Sequence, residues 1–293
     1  QKWLIAPQRL WLEQLQLRPR EWIDSIEDLD FVSLKEWQRQ NLLDEYLDDF
    51  FDKVEEKEVK IGNSDLPFLD WEDRFNGQGK LPYGSSGKIE KERLFLRMKN
   101  MERVLSSIGK CTIRRLDFGD YKKRVISTGD EIIIIHPRKL SLKIIMEAWY
   151  LHLRASVRGD EFVSTYIITK HSSSTKQDQF HAGMRLSYVD PKKSDQILGQ
   201  IQNLTSLGLK ECWPVPPESG WDYSISENKL SGSGFSAFAK KWQGGFKYKG
   251  ESQKEEMRLC FGKTSKASDL FRIEGFVEAM SFLYQPIIDN IIF

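Results

Sequence analysis

The chain's 293 residues, 40% of them hydrophobic, can bury a sizeable core as one large domain or two small ones without help from disulfides or metal. Lys and Arg number 44 against 43 Asp and Glu, a formal net charge of +1, which excludes a global field steering the protein to nucleic acid or membrane. Cys111, Cys212 and Cys260 are odd in number and widely spaced, which argues against a disulfide framework or a CxxC metal site and fits a reducing, cytoplasmic compartment.

The first hundred residues read as helices. Pro7 to Leu17 places Leu10, Trp11, Leu15 and Leu17 at roughly helical spacing behind a Pro suited to a first helical position. A second helix is expected from Ser33, with Glu36 completing a capping box, through Leu42, Leu43, Tyr46, Leu47, Phe50 and Phe51. After a Gly/Pro-punctuated loop from Asn76 to Gly87, a third runs from about Ile89 to Leu105.

The period then changes. Cys111 to Phe118 and Tyr121 to Ser127 are short runs split by Gly119-Asp120, and Glu131 to Ile135 is a β-branched run suited to a buried strand. Ser141 to Val157 is an amphipathic helix and Glu161 to Thr169 another strand, giving the order β-β-β-α-β. Asp190-Pro191 caps a helix that reaches Leu207 and ends at Gly208. Trp213-Pro-Val-Pro-Pro217 is rigid, and further helices are expected at Gly234 to Trp242 and Ala267 to Phe293. The expected organisation is a helical part over residues 1–110 on an α/β core with a helical extension over 111–293. No apolar run approaches the ~20 residues needed to span a bilayer, and no basic-then-apolar leader opens the chain. Its first residue is Gln1, so it reads as a piece of a longer protein or a processed one.

Three strands, a helix and a strand are the layout of the PD-(D/E)XK nuclease core, a mixed sheet flanked by helices. That core works when an Asp on one strand and an Asp/Glu-x-Lys on the next converge on Mg²⁺. In active enzymes of the RecB type the third strand runs into Asp-Tyr-Lys. Here Ile132 to Ile135 runs into His136-Pro137-Arg138-Lys139, so His136 stands for the carboxylate and Arg138 for the lysine. Histidine is a poor Mg²⁺ ligand and Pro137 disturbs the strand end, which points to a decayed site with no catalytic or metal-binding residues. A rival set moves the site to Asp117, Asp130 or Glu131, and Lys139; the plain reading of those acids is turn and surface.

His136, His152, His171 and His181 show no metal-ligand spacing, and His152, three residues after Trp149, suits a structural role. Ser172 to Thr175 has no GxSxG elbow, and Ser231-Gly-Ser-Gly234 lacks the lysine of a phosphate loop. Arg114, Arg115, Lys122, Lys123 and Arg124 crowd one hairpin as phosphate contacts or as a solvated face. Trp213, Trp221, Phe246 and Tyr248 suit base stacking, partner docking or the edge of a core.

Several segments resemble the last domain of the RecC family, the gamma chain of exodeoxyribonuclease V. Pro7 to Leu17 resembles the helix after that family's helicase-like part, and Glu27-Asp-Leu-Asp30 with Leu34 and Leu42-Leu43 is similar to its next segment. Leu81-Pro-Tyr-Gly84 resembles an "LPPG" turn, and Ala148-Trp149-Tyr150-Leu151-His152-Leu153 resembles "AWLEHLL". Trp213-Pro-Val-Pro-Pro217 with Ser219 to Tyr223, then Trp242-Gln-Gly-Gly245, follow in the family's order. The resemblance implies a nuclease-like fold without catalysis that sits against the RecB and RecD subunits and helps hold or split forked or double-stranded DNA. Mg²⁺ and ATP would then act only through partner subunits. An active Mg²⁺-dependent nuclease and a structural domain without DNA contact are the alternatives.

Overall fold

The computed structural model describes residues 1–19, 33–53, 58–59, 68–120, 122–159, 164–173, 178–246 and 248–292. Its helices are α1 (Lys2–Ile5), α2 (Pro7–Gln14), α3 (Glu36–Lys53), α4 (Phe68–Gly77), α5 (Gly84–Ile108), α6 (Leu142–Arg158), α7 (Pro191–Gly208), α8 (Pro217–Lys229), α9 (Gly234–Gln243), α10 (Glu255–Phe261), α11 (Ala267–Leu270) and α12 (Phe276–Ile288). Its strands are β1 (Glu58–Val59), β2 (Cys111–Asp117), β3 (Lys122–Thr128), β4 (Glu131–Lys139), β5 (Ser164–Lys170), β6 (Phe180–Leu186), β7 (Gly244–Gly245), β8 (Tyr248–Lys249) and β9 (Ile291–Ile292). The chain divides into two compact units, one of Gln1–Ser25, Ser141–Val157 and Val189–Ile291, the other of Ile26–Leu140, Arg158–Tyr188 and Ile292–Phe293. Within the second unit α3 and α5 share a core with the strands that follow them.

The second unit is built on a mixed sheet of order β1-β2-β3-β4-β5-β6-β9. Neighbours run antiparallel from β1 to β4, β4 and β5 run parallel, and β5 and β6 run antiparallel. The β-β-β-α-β order is therefore present, and the sheet belongs to a mixed α/β class. Because strand side chains alternate, Ile126, Ile133 and Ile168 share one face, where they pack with Leu42 and Leu43 of α3 and Leu94 and Met98 of α5.

Strand β6 was not expected from the sequence. Gly183 breaks its pattern, and the register steps from Ile167 opposite Met184 to Ile168 opposite Ala182, leaving Gly183 as the extra residue of a bulge. A Cβ there would lie 2.7 Å from Thr169 Oγ1, so the close approach of the strands requires glycine. The β4 run also goes further than expected, to Lys139, and carries Pro137 within it.

The expected capping box is absent. Helix α3 starts at Glu36, and the Lys35 N–H donates to the Gln38 side chain at 2.8 Å. The Glu36 carboxylate instead accepts two bonds from Arg97 of α5, at 3.1 and 2.9 Å, and a third from Lys170 of β5. Arg97 is 1% exposed and also donates to Asp178 at 2.6 Å. Alongside, Arg39 holds Glu90 through two bonds of 2.6 Å. Helix, helix and strand are thus tied by one largely buried ionic network.

In the first unit, Trp3 meets Trp213 edge-on, with centroids 5.3 Å apart, and Gln8 of α2 is fully buried, donating to the Trp213 and Val215 carbonyls at 2.9 and 2.8 Å. That bonding holds the Pro-rich segment from which Pro217 opens α8, a helix not expected from the sequence. The α8 N-terminus is capped by buried Glu251, which accepts from the Glu218 and Ser219 N–H groups at 3.0 and 2.6 Å. His152 is buried and stacks on Trp149, as a structural residue would. The single helix expected over Ala267 to Phe293 is interrupted at Gly275, whose φ of 72° places it in the left-handed region ahead of α12.

Gly208 is the last residue of α7, as expected, and its missing side chain makes room for Trp3. A Cβ there would fall 2.5 Å from the indole. Gly208→Ala is therefore expected to destabilise by about 1–3 kcal/mol in chemical denaturation, although alanine is the better helix former. For the ionic network, Glu36→Ala leaves Lys170 without this carboxylate and Arg97 with Asp178 alone, and, with Glu36 partly screened by solvent, is expected to cost about 1–3 kcal/mol by the same measurement. Burial alone would raise the Glu36 carboxyl, but hydrogen bonds and charge from Arg97 and Lys170 hold it down at about 2. Its contribution is thus complete above the ordinary carboxylate range and lost as pH falls toward 2, so Glu36→Gln should flatten the acid limb of the stability profile.

Candidate functional site

The sequence places any remnant of nuclease chemistry where β4 ends, and the register there decides what its side chains face. His136 stands directly across from Thr169 of β5, yet the next paired residue, Lys139, stands across from Lys170. Pro137 and Arg138 form the irregularity between them. A proline lacks the N–H that a ladder needs, so the strand end buckles at that point. Strand alternation puts His136 on the face opposite Ile133 and Ile135. Arg138 turns to α3, whose Leu42 and Leu43 pack on the Ile133 face. Its guanidinium donates to Asn41 and Asp44 at 2.8 Å each and to Gln40 at 3.3 Å. The two positions that would carry an acid and a base therefore face different ways.

The rival set is also spread out. β2 and β4 both pair with β3, and Thr112 and Ile132 both stand opposite Ser127, which fixes their relative level. Asp117 closes β2, six strand positions beyond the level of Glu131, or roughly 20 Å along the sheet. Its Oδ1 accepts the Gly119 N–H at 2.9 Å, as in a turn, and its carbonyl accepts from Arg158 at 2.7 Å. Asp130 lies exposed in the β3–β4 turn. Glu131 accepts from Ser164 Oγ at 2.7 Å and from Arg185 at 2.6 Å. Lys139 sits exposed at the far end of β4. Among the described residues, no three His, Cys, Asp or Glu side chains converge as metal ligands.

The basic hairpin is real, and its cations divide between the two faces of β2–β3. Arg115 stands directly across from Arg124 on one face, while Arg114 opposite Val125 and Lys123 opposite Leu116 lie on the other. Arg114, Arg115 and Lys123 are exposed and Arg124 is half-buried; the Lys122 side chain lies outside the described residues. The positive charge therefore flanks the hairpin on both sides.

Strand register also brings together what sequence spacing keeps apart. His136, Thr169 and His181 stand side by side across β4, β5 and β6 on one face, and His171 lies with its ring centroid 4.9 Å from that of His181. His171 Nδ1 accepts the Ser173 N–H at 3.1 Å, and His181 Nδ1 lies 3.2 Å from the Thr169 carbonyl. Three of the chain's 4 histidines thus gather on and beside one sheet face, His136 at the position the nuclease layout gives an acid. No HxH or HxxxH spacing announces them, because β6 itself was hidden by Gly183.

Other sequence candidates are accounted for locally. The loop of Ser231 to Gly234 wraps around Glu227, whose carboxylate accepts the Gly232 and Gly234 N–H groups at 2.7 and 2.9 Å and occupies the position a phosphate would need. Those backbone bonds lower the Glu227 pKa. Trp213 and Trp221 are buried in the first unit's core, whereas Phe246 is fully exposed and Tyr248 partly so. Of the Ser172 to Thr175 run, Ser174 and Thr175 lie outside the described residues, as does the Glu27 to Asp30 segment.

Comparison with curated proteins found no match. The model of a protein family described as the RecC C-terminal domain matches residues 1–227, well over half the chain and spanning both the β4 strand end and the basic hairpin. The mixed sheet, the β-β-β-α-β order and that match lead to one assignment: this chain belongs to the RecC C-terminal domain family.

Proposed function

We propose that this domain is a non-catalytic part of a RecBCD-type helicase-nuclease in double-strand break repair and recombination, scaffolding RecB and RecD and guiding or splitting forked duplex DNA. The observation that carries the reading is Arg138. At the position where an active site would hold its lysine, this side chain makes an ion pair with Asp44 across 2.8 Å and works as a structural tie to α3. The acids that a displaced site would need lie apart along the sheet, and each of Asp117 and Glu131 already has partners of its own. A two-carboxylate Mg²⁺ centre requires those oxygens within a few ångströms of one ion. In this reading the domain needs neither Mg²⁺ nor ATP itself, and both act through the partner subunits in the cytoplasm. No helix of the described residues is long and apolar enough to cross a membrane.

The hairpin of β2 and β3 is the proposed DNA contact. With a net charge of only +1 on the whole chain, attraction to phosphate has to come from a local cluster such as this one. Cations on both faces of these two strands suit a position between or beside separated DNA strands better than flat docking on one groove.

Titration of the protein with forked DNA at two salt concentrations, with and without Mg²⁺ or Mn²⁺, tests the reading. Salt-sensitive binding without cleavage is expected, and replacing Arg114, Arg115, Lys122, Lys123 and Arg124 by Ala should reduce the slope of log K against log salt by about one unit for each phosphate that is no longer neutralised. Metal-dependent cleavage abolished by Asp117→Ala would overturn it in favour of a displaced nuclease site. Absence of any binding would leave a domain whose partners are proteins alone.

A further inference from the structure

In the first unit a pocket of about 480 Å³ opens between α8 and α9, a size that takes a nucleobase and its sugar. Asp222 and Ile225 line it from α8, and Ala237, Lys240 and Lys241 from α9, at spacings of three and four that put each set on one helix face. Tyr248 of β8 completes the wall. The β7–β8 hairpin is pinned where it leaves α9: a Cβ at Gly250 would lie 2.3 Å from the Trp242 carbonyl oxygen, and one at Gly244 2.2 Å from the Gly250 nitrogen. Tyr248, about half exposed, is therefore held at the edge of the pocket, and Phe246 of the same hairpin is fully exposed. The polar groups divide in two. Lys241 is taken by Glu218 at 2.8 Å, whereas Asp222, one turn further along α8, makes no hydrogen bond among the described residues. Lys240 and Lys249 are exposed and form no ion pair among the described residues.

We propose that this pocket binds one base of single-stranded DNA, stacked on Tyr248 and hydrogen-bonded to Asp222 through an exocyclic amino group, with the strand's phosphates on Lys240 and Lys249. The proposal rests on the reading of the domain as a guide for forked DNA and adds to it a contact for the separated strand. Chemistry selects the ligand. An accessible tyrosine ring above the apolar floor of Ile225 and Ala237 takes the face of a flat ring, and every base supplies one. Burial raises the Asp222 carboxyl, against the pull of Lys241 and with a further push from Glu218, so a donor brought into the pocket stabilises the ionised form. Cytosine, adenine and guanine each present an amino group on the pairing edge. Thymine presents one N–H set between two carbonyl oxygens, which the carboxylate repels. A cationic side chain of a protein partner would answer Asp222 as well, but Lys240 and Lys249 repel it and attract phosphate.

The test titrates the whole chain, by fluorescence anisotropy, with labelled oligo-dC, oligo-dA and oligo-dT of about 12 nucleotides. Oligo-dC and oligo-dA are expected to bind about tenfold more tightly than oligo-dT. Tyr248→Ala should weaken all three by about tenfold or more without moving the melting temperature, and Tyr248→Phe, which keeps the ring, should bind as the unaltered chain does. Asp222→Ala should erase the preference while leaving oligo-dT bound no more weakly. A preference that survives Asp222→Ala, or affinities indifferent to Tyr248→Ala, would overturn the proposal. Capture of an arginine-containing peptide but of no oligonucleotide would give the pocket to a protein partner and overturn it equally. Forked-duplex binding that depends on the β2–β3 cations, alongside single-strand binding that ignores Tyr248 and Asp222, would sink this proposal and spare the wider reading; no binding to any DNA would sink both.

Discussion

The second unit depends on one arginine. Arg97 projects from α5 into a site where it is 1% exposed, and a guanidinium there is tolerable only because Glu36 and Asp178 take its protons in hydrogen bonds. Uncompensated, such a buried charge would cost several kcal/mol, as much as a large share of a domain's net stability. The requirement propagates. Glu36 must sit at the first turn of α3, which fixes where that helix starts, and its remaining bond to Lys170 sets the level of β5 against α3. Asp178 must sit on the approach to β6, where Asn100 of α5 also donates to its carbonyl at 2.8 Å. Apolar burial drives the layers together; the ionic contacts decide in which register they meet.

That priority explains which sequence signals were legible. The β-branched run of β4, the two hairpin strands and the amphipathic α6 are local patterns, and all of them formed with ends shifted by a few residues. The family resemblance was legible for a related reason, since Trp149 and His152 or the Trp213 to Pro217 segment are packing residues with distinctive neighbours. Where a residue's partner lies far away in sequence, local reasoning failed. Glu36 resembled a capping-box glutamate because Arg97 and Lys170 were invisible to it. Gly208 was legible as the end of α7, but that Trp3, some two hundred residues earlier, needs the space its missing side chain leaves was not. The same limit hid Gly183 as a bulge, and with it β6.

The candidate site divides along the same line. His136 and Arg138 could be picked out as misfits because strand-then-motif is a local pattern. That Arg138 leaves the His136 face and reaches Asp44 depends on the bulge at Pro137 and on α3 lying against that side of the sheet. The gathering of His136, Thr169 and His181 depends on three strand registers at once, and no spacing rule applied to a single stretch could reveal it.

A physical reason connects the altered strand end to the stability of the whole unit. Carboxylates brought together for Mg²⁺ repel one another until the ion arrives, so an active face of that kind is held by the rest of the fold against its own electrostatics. Here the corresponding face carries histidines and a threonine, which bring no fixed negative charge. The acids of α3, at Glu36 and Asp44, lie on the opposite side of the sheet, each paired with a cation from a neighbouring element. Glu36 binds both Arg97 and Lys170, and Asp44 binds Arg138. The acidic charge of α3 thus joins a helix to a strand end and to its neighbouring elements. For a domain whose proposed work is to hold a shape between partners and a forked duplex, paired charge of this kind favours rigidity where helix and sheet meet.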